Sequence, residues 1–165
     1  MILARVTFAR NSDWLMLKKL FAPGNDSFWT SLALLTLRVW LGMTMLINHG
    51  VGKLTTFSEK APDFPDPLGV GHTMSLLLVV FAEVFASMLL IMGLVTRFAA
   101  LVLAINMTVA FFVVHKARLS GSHSGELAFI YLAACVALFL AGPGRVSVDK
   151  AVFEGGGKAR GATAK

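Results

Sequence analysis

The chain has 165 residues, enough for one domain. Hydrophobic residues make up 56% of it and charged residues 15%, and the mean hydropathy is +0.74. A water-soluble fold of this size could not hide that much apolar surface, whereas a bilayer can. Fifteen Lys and Arg against nine acidic residues give a formal charge of +6. These cations sit mainly near the chain ends beside apolar runs, which points to anionic headgroups; no recognition motif accompanies them, and no nucleic-acid partner is expected. Cys135 is the single cysteine, so an intrachain disulfide, a CxxC redox pair and a cysteine-based zinc site are excluded.

Residues 1–24 form the first unit. Trp14, Leu17 and Phe21 recur at helical spacing beside Lys18 and Lys19, which predicts a short amphipathic helix lying on the membrane surface before Pro23-Gly24. A signal peptide is rejected because Arg10, Asp13 and the lysine pair interrupt any apolar core. Residues 25–149 form the second unit, with four apolar stretches: Phe28 to about Asn48, Thr73 to Val95, Phe98 to Val114, and Gly125 to Ala141. A helix needs about 20 residues to cross ~30 Å of hydrocarbon, and backbone groups in lipid must be paired within the segment, so each stretch reads as a membrane helix. A proline-rich loop joins the first two, Thr96-Arg97 forms a tight turn between the second and third, and a short polar loop joins the last two. Residues 150–165 read as a flexible basic tail. The fold class expected is all-α, a membrane four-helix bundle with a short amphipathic amino-terminal helix.

The cations set the orientation. Arg5, Arg10, Lys18, Lys19, Arg97, Arg145, Lys150, Lys158, Arg160 and Lys165 fall on one side; Lys53, Lys60, Lys116 and Arg118 fall on the other. The positive-inside bias then places both termini in the cytoplasm.

Three polar side chains interrupt the apolar spans: Arg38, Glu83 and Asn106. Arg38 lies about ten residues from the start of its stretch, so ~15 Å deep at 1.5 Å per residue. All three are expected near the bilayer midplane, with Arg38 and Glu83 as an ion pair and Asn106 completing the hydrogen bonding. Such a cluster is either a clasp that fixes helix register or a proton or ligand site. A second set lies toward the outer face. Arg38, Gly42, Met45 and His49 share one helix face that leads up to Lys53, and Glu126 opens the last stretch at the same level, with Ala133 and Ala137 as close-packing positions on its face. His49, Lys53 and Glu126 are therefore the expected ligand pocket. Haem is disfavoured because His115 points away from Asn106 on a regular helix, no metal site is expected, and Phe81, Phe85, Phe111, Phe112 and Phe129 are read as lipid-facing.

Several of these residues together carry a resemblance. Arg38 with Leu41-Gly42, His49-Gly50 and Lys53, Glu83, Leu89-Leu90, the run Gly93-Leu94-Val95-Thr96-Arg97, Gly125-Glu126, Tyr131, and the ending Gly142-Pro143-Gly144-Arg145-Val146-Ser147-Val148-Asp149 make residues 31–149 resemble the DoxX family of small bacterial membrane proteins. The resemblance implies a four-helix bundle in the bacterial plasma (inner) membrane. It also implies a role as small subunit of a quinone-linked oxidoreductase, with protein partners in a membrane redox complex and a quinone as the cofactor it admits. No catalytic residue is assigned in this chain. The alternatives are a small proton-coupled carrier using Arg38 and Glu83, and a purely structural assembly subunit.

Overall fold

The computed structural model describes residues 27–152. The expected amphipathic segment 1–24 and most of the basic tail lie outside the described residues. Helix α1 covers Phe28–Thr55 and is followed by a single turn, α2, at Phe57–Lys60. Helix α3 covers His72–Met92, α4 Thr96–Val114 and α5 Glu126–Ala141. No strand occurs among the described residues. Pro62, Pro65, Pro67 and Pro143 all lie between helices, where the missing N–H and fixed φ do no harm.

α1, α3 and α4 are long and apolar enough to cross a membrane; α5 is apolar but has 16 residues, about 24 Å at 1.5 Å per residue. Their exteriors agree with contact to lipid. Trp40 is 72% exposed and Leu140 69%, and Phe81, Phe85, Phe112 and Phe129 are exposed as expected. Phe111 is instead buried, packed against the rings of Phe112 and Phe129. Threonine hydroxyls on these helices donate to the carbonyl four residues back, as Thr36 to Leu32, Thr44 to Trp40 and Thr108 to Ala104. That satisfies each hydroxyl within its own helix where no water is at hand.

The core joins Leu41 and Met45 of α1, Ala86 and Leu90 of α3, Leu103 and Met107 of α4, and Tyr131, Cys135 and Leu138 of α5. Two glycines bring α1 against α3. A methyl at Gly42 would meet the Ser87 carbonyl at 3.0 Å, and one at Gly50 would meet the Glu83 carbonyl at 2.8 Å. Small residues at such positions let helix backbones approach closely in membranes.

α3 ends in a left-handed Gly93, with Leu94 N–H donating to Leu89 O and Gly93 N–H to Leu90 O, a glycine-capped terminus. The tight turn is thus Gly93 to Val95, and Thr96-Arg97 already belong to α4. The carboxy-terminal segment folds back onto this turn. Asp149 accepts the N–H groups of Val95 at 2.6 Å and Thr96 at 2.9 Å, and its own N–H donates to Gly93 O. A carboxylate on the exposed N–H groups of a helix start is favoured by the helix dipole and by charge-assisted hydrogen bonding. Arg38 lies beneath this latch, 1% exposed, its Nη2 donating to Val146 O at 2.5 Å. The Asp149 carboxylate offsets part of its charge.

Candidate functional site

The chain does not break at the Asn48-His49-Gly50 segment. Instead α1 loosens into a π-helical turn over Leu46–Gly50 and resumes as Val51–Thr55. α3 carries a similar turn over Phe81–Ala86, and α4 one over Val109–Val114. Such turns are rare and concentrate at functional sites, because the extra residue re-aims side chains without ending the helix. Here they surround one polar group. Glu83, near the middle of α3, lies in the second turn with its side chain 6% exposed.

Its partner is Lys53. The Nζ atom lies 2.6 Å from Glu83 Oε2 and 3.3 Å from the carbonyl of His49, one turn back on α1. The Gly50 contact sets this geometry, since it seats α1 on the Glu83 backbone and leaves the four-carbon lysine stem long enough to reach the carboxylate. The lysine side chain is 23% exposed, so the pair is buried on the glutamate side and reachable on the other.

Two cavities meet at Glu83. The larger, about 480 Å³, runs between α3 and α4. Lys53, Glu83 and Asn106 form its polar wall, and Phe64, Pro65, Pro67 and Leu68 of the proline-rich loop cover one end. The Asn106 side chain has no hydrogen-bond partner among the described residues. The smaller, about 120 Å³, is bordered by Glu83, His49 and Tyr131, with Met45, Met107 and Leu127 completing its wall. The His49 and Tyr131 rings meet edge to face, centroids 5.9 Å apart. A concave, mainly apolar space with a few convergent polar groups is the usual form of a small-molecule site.

The loop over the larger cavity is tied down by Asp66. Its carboxylate accepts the Ser75 hydroxyl at 2.7 Å, Gly71 N–H at 2.8 Å and Val70 N–H at 3.0 Å. The Ser75 hydroxyl, then the Gly71 N–H, hold the Asp66 carboxyl below its ordinary value of 3.8. His72 Nδ1 pairs with Phe64 O at 2.6 Å.

The sequence model of the DoxX family matches residues 33–116, from Arg38 through both residues of the ion pair to the end of α4. This chain belongs to the DoxX family. A protein of Haemophilus influenzae described as uncharacterized is 32% identical over 115 residues, covering 67% of this chain and 84% of the relative. No solved structure matches.

In this DoxX protein the expected polar residues separate into three groups. His49, Lys53, Glu83 and Asn106 converge on the cavities. Arg38 does not join them, and the expected Arg38–Glu83 pair is replaced by Lys53–Glu83. Gly50, which touches Glu83, lies twelve residues beyond Arg38, about 18 Å along the helix. The misplacement came from ending α1 at Asn48; the helix runs to Thr55, which moves its middle toward the carboxy end and puts Arg38 at the Gly93 turn. Glu126 is exposed at the start of α5 and borders neither cavity. The buried stripe of α5 is Ala128, Tyr131, Cys135 and Leu138, and Glu126 lies about 200° around the helix from Ala128 at 100° per residue. Ala133 and Ala137 are turned outward for the same reason. Tyr131 also borders the smaller cavity, three residues after Ala128 on the inward stripe, a position that helical spacing alone could have marked. His115 sits at the end of α4 with Nδ1 3.2 Å from His123 O, and no group of three or more His, Cys, Asp or Glu able to hold a metal occurs among the described residues.

Proposed function

We propose that this DoxX protein is an accessory, non-catalytic subunit of a membrane redox complex in the bacterial plasma membrane. In this reading it forms a four-span bundle with both termini in the cytoplasm and holds a quinone beside Lys53, Glu83, His49 and Asn106. The observation that carries the reading is the Lys53–Glu83 pair, 2.6 Å apart at the wall of an apolar cavity of about 480 Å³. A buried charge pair is costly in a membrane protein and commonly marks a functional path or site. A volume of about 480 Å³ leaves room for a flat ring, and Lys53 and Asn106 could present donors to ring carbonyls. Electrons would come from carriers on partner proteins, and Glu126, turned outward, has no part in the pocket.

A second reading, a small proton-coupled carrier, is favoured by one observation: Glu83 borders both cavities and so stands where they meet. Extraction of the native membrane into polymer discs tests the two. Partner mass spectrometry, a redox spectrum and quinone analysis of the discs should find a complex with quinone retained by the wild type and lost in Glu83→Gln. A protein that elutes without partner or quinone, yet moves protons in vesicles, would replace the first reading with the second.

A further inference from the structure

Three features of the larger cavity bear on what it takes and from where. Its open side is framed by Leu78, Phe81 and Ile105, which are 49%, 42% and 57% exposed. These residues lie within membrane-length helices, so the opening faces hydrocarbon rather than water. One end is covered by the loop that Asp66 holds. Its polar wall is electrically balanced, because Lys53 and Glu83 neutralise one another at 2.6 Å. Asn106, bordering the same wall, offers an amide with both donor and acceptor capacity.

We infer that the cavity takes its ligand sideways from the bilayer, and that the ligand is a membrane-dissolved amphiphile with a neutral, hydrogen-bonding head and an apolar tail. The head rests against Lys53, Glu83 and Asn106; the tail leaves between Leu78, Phe81 and Ile105 into lipid. A charged head would enter a site whose own charges already cancel and would lose its hydration without a counterion. A head without a tail would leave the apolar opening unfilled. This inference rests on the site reading above and adds to it the entry route and the head charge.

The test uses full-length protein in phosphatidylcholine nanodiscs, with affinities expressed against probe concentration in the lipid so that partitioning cancels. The probes are decylubiquinone, its tail-less parent quinone, and decanoate. Ile105→Trp plugs the opening, with Leu78→Trp as a second plug should the first fail to fold; both positions face outward. Asn106→Leu removes the uncharged head contact. The inference expects decylubiquinone to bind at least about tenfold more tightly than either other probe, and a plug and Asn106→Leu each to weaken it about tenfold. Decanoate binding as well as decylubiquinone would overturn the neutral head, and equal binding of the tail-less quinone would overturn the tail. Weakening by Asn106→Leu but not by either plug would overturn the lateral route and leave the site standing. Weakening by a plug alone would reduce the cavity to a tail crevice and overturn the head assignment. Loss in neither variant would overturn the site reading itself.

Discussion

Removing the Lys53 ammonium leaves the Glu83 carboxylate, 6% exposed, facing an apolar cavity. At 2.6 Å the Coulomb attraction of the pair is about 6 kcal/mol at an effective dielectric of ~20 and about 1.6 kcal/mol in water. Because the lysine is 23% exposed, the coupling should fall between, at about 2–4 kcal/mol. Lys53→Met should therefore destabilise by about 3 kcal/mol, as expected for a stranded buried charge. Glu83→Gln should cost less, about 1–2 kcal/mol, since the ammonium keeps its bond to the His49 carbonyl and some solvent. The double variant Lys53→Met with Glu83→Gln removes both charges and should cost about 1–2 kcal/mol, less than Lys53→Met alone. Reversible unfolding in mixed detergent–dodecyl sulfate micelles, read by circular dichroism, gives all four corners of the cycle. Coupling below about 0.5 kcal/mol would refute the reasoning, because independent sites simply add. The same cycle on Arg38→Met and Glu83→Gln should show additivity.

Other outcomes follow from the Asp149 latch, the Asp66 loop and the proposed orientation. Gly93→Ala would press a methyl into the Arg38 guanidinium at a φ of +70° and should cost about 2–4 kcal/mol. Gly52→Ala, with nothing within 4 Å, should be neutral or stabilising by up to about 1 kcal/mol, and thermal melting separates the two. Asp149→Asn keeps the shape but loses the charge on the Val95 and Thr96 N–H groups, so it should destabilise by about 1–2 kcal/mol. The Asp66 carboxyl titrates below 3.8 in the folded chain; its hold on the loop is full above that value and is lost as pH falls through the lowered one. Hydrogen exchange over residues 64–75 should thus quicken on acidification in the wild type, beyond the intrinsic pH effect, and show no such step in Asp66→Asn. Single cysteines at Ser58 and Thr163 in a Cys135→Ala background should label with impermeant maleimide in intact cells at 58 and not at 163. The reverse pattern would overturn the proposed orientation.

Much of this was legible because lipid leaves the backbone few choices. Long apolar stretches with no internal proline must be helices, and the Arg38, Gly42, Met45, His49 face does turn inward, with Met45 1% exposed. What hid the pairing was the end of α1. Asn48, His49, Gly50 and Gly52 read locally as a helix stop, whereas the π-helical turn carries the helix through them and delivers Lys53 to Glu83. Hydrophobic pattern cannot reveal such a turn, because it depends on how closely Gly50 meets the neighbouring backbone. Arg38 was misread for a related reason: its partners, Val146 and Asp149, come from a segment more than a hundred residues away. The Gly142-to-Asp149 ending that carried the family resemblance proves to be the latch on that arginine and on α4. Glu126 shows the opposite error, since its sequence level was right and its direction around α5 was not.

Photoaffinity mapping shows whether the cavity beside Lys53 and Glu83 holds a membrane-borne ligand. The protein in native-lipid discs is illuminated with an azido-quinone bearing an alkyl tail, then digested and sequenced by mass spectrometry. Adducts should concentrate on α3 between Leu78 and Glu83 and on α4 between Val102 and Ala110, be competed by decylubiquinone and be lost in Glu83→Gln. Adducts spread evenly over outward residues such as Trp40 and Leu140, without competition, would contradict a ligand in the cavity.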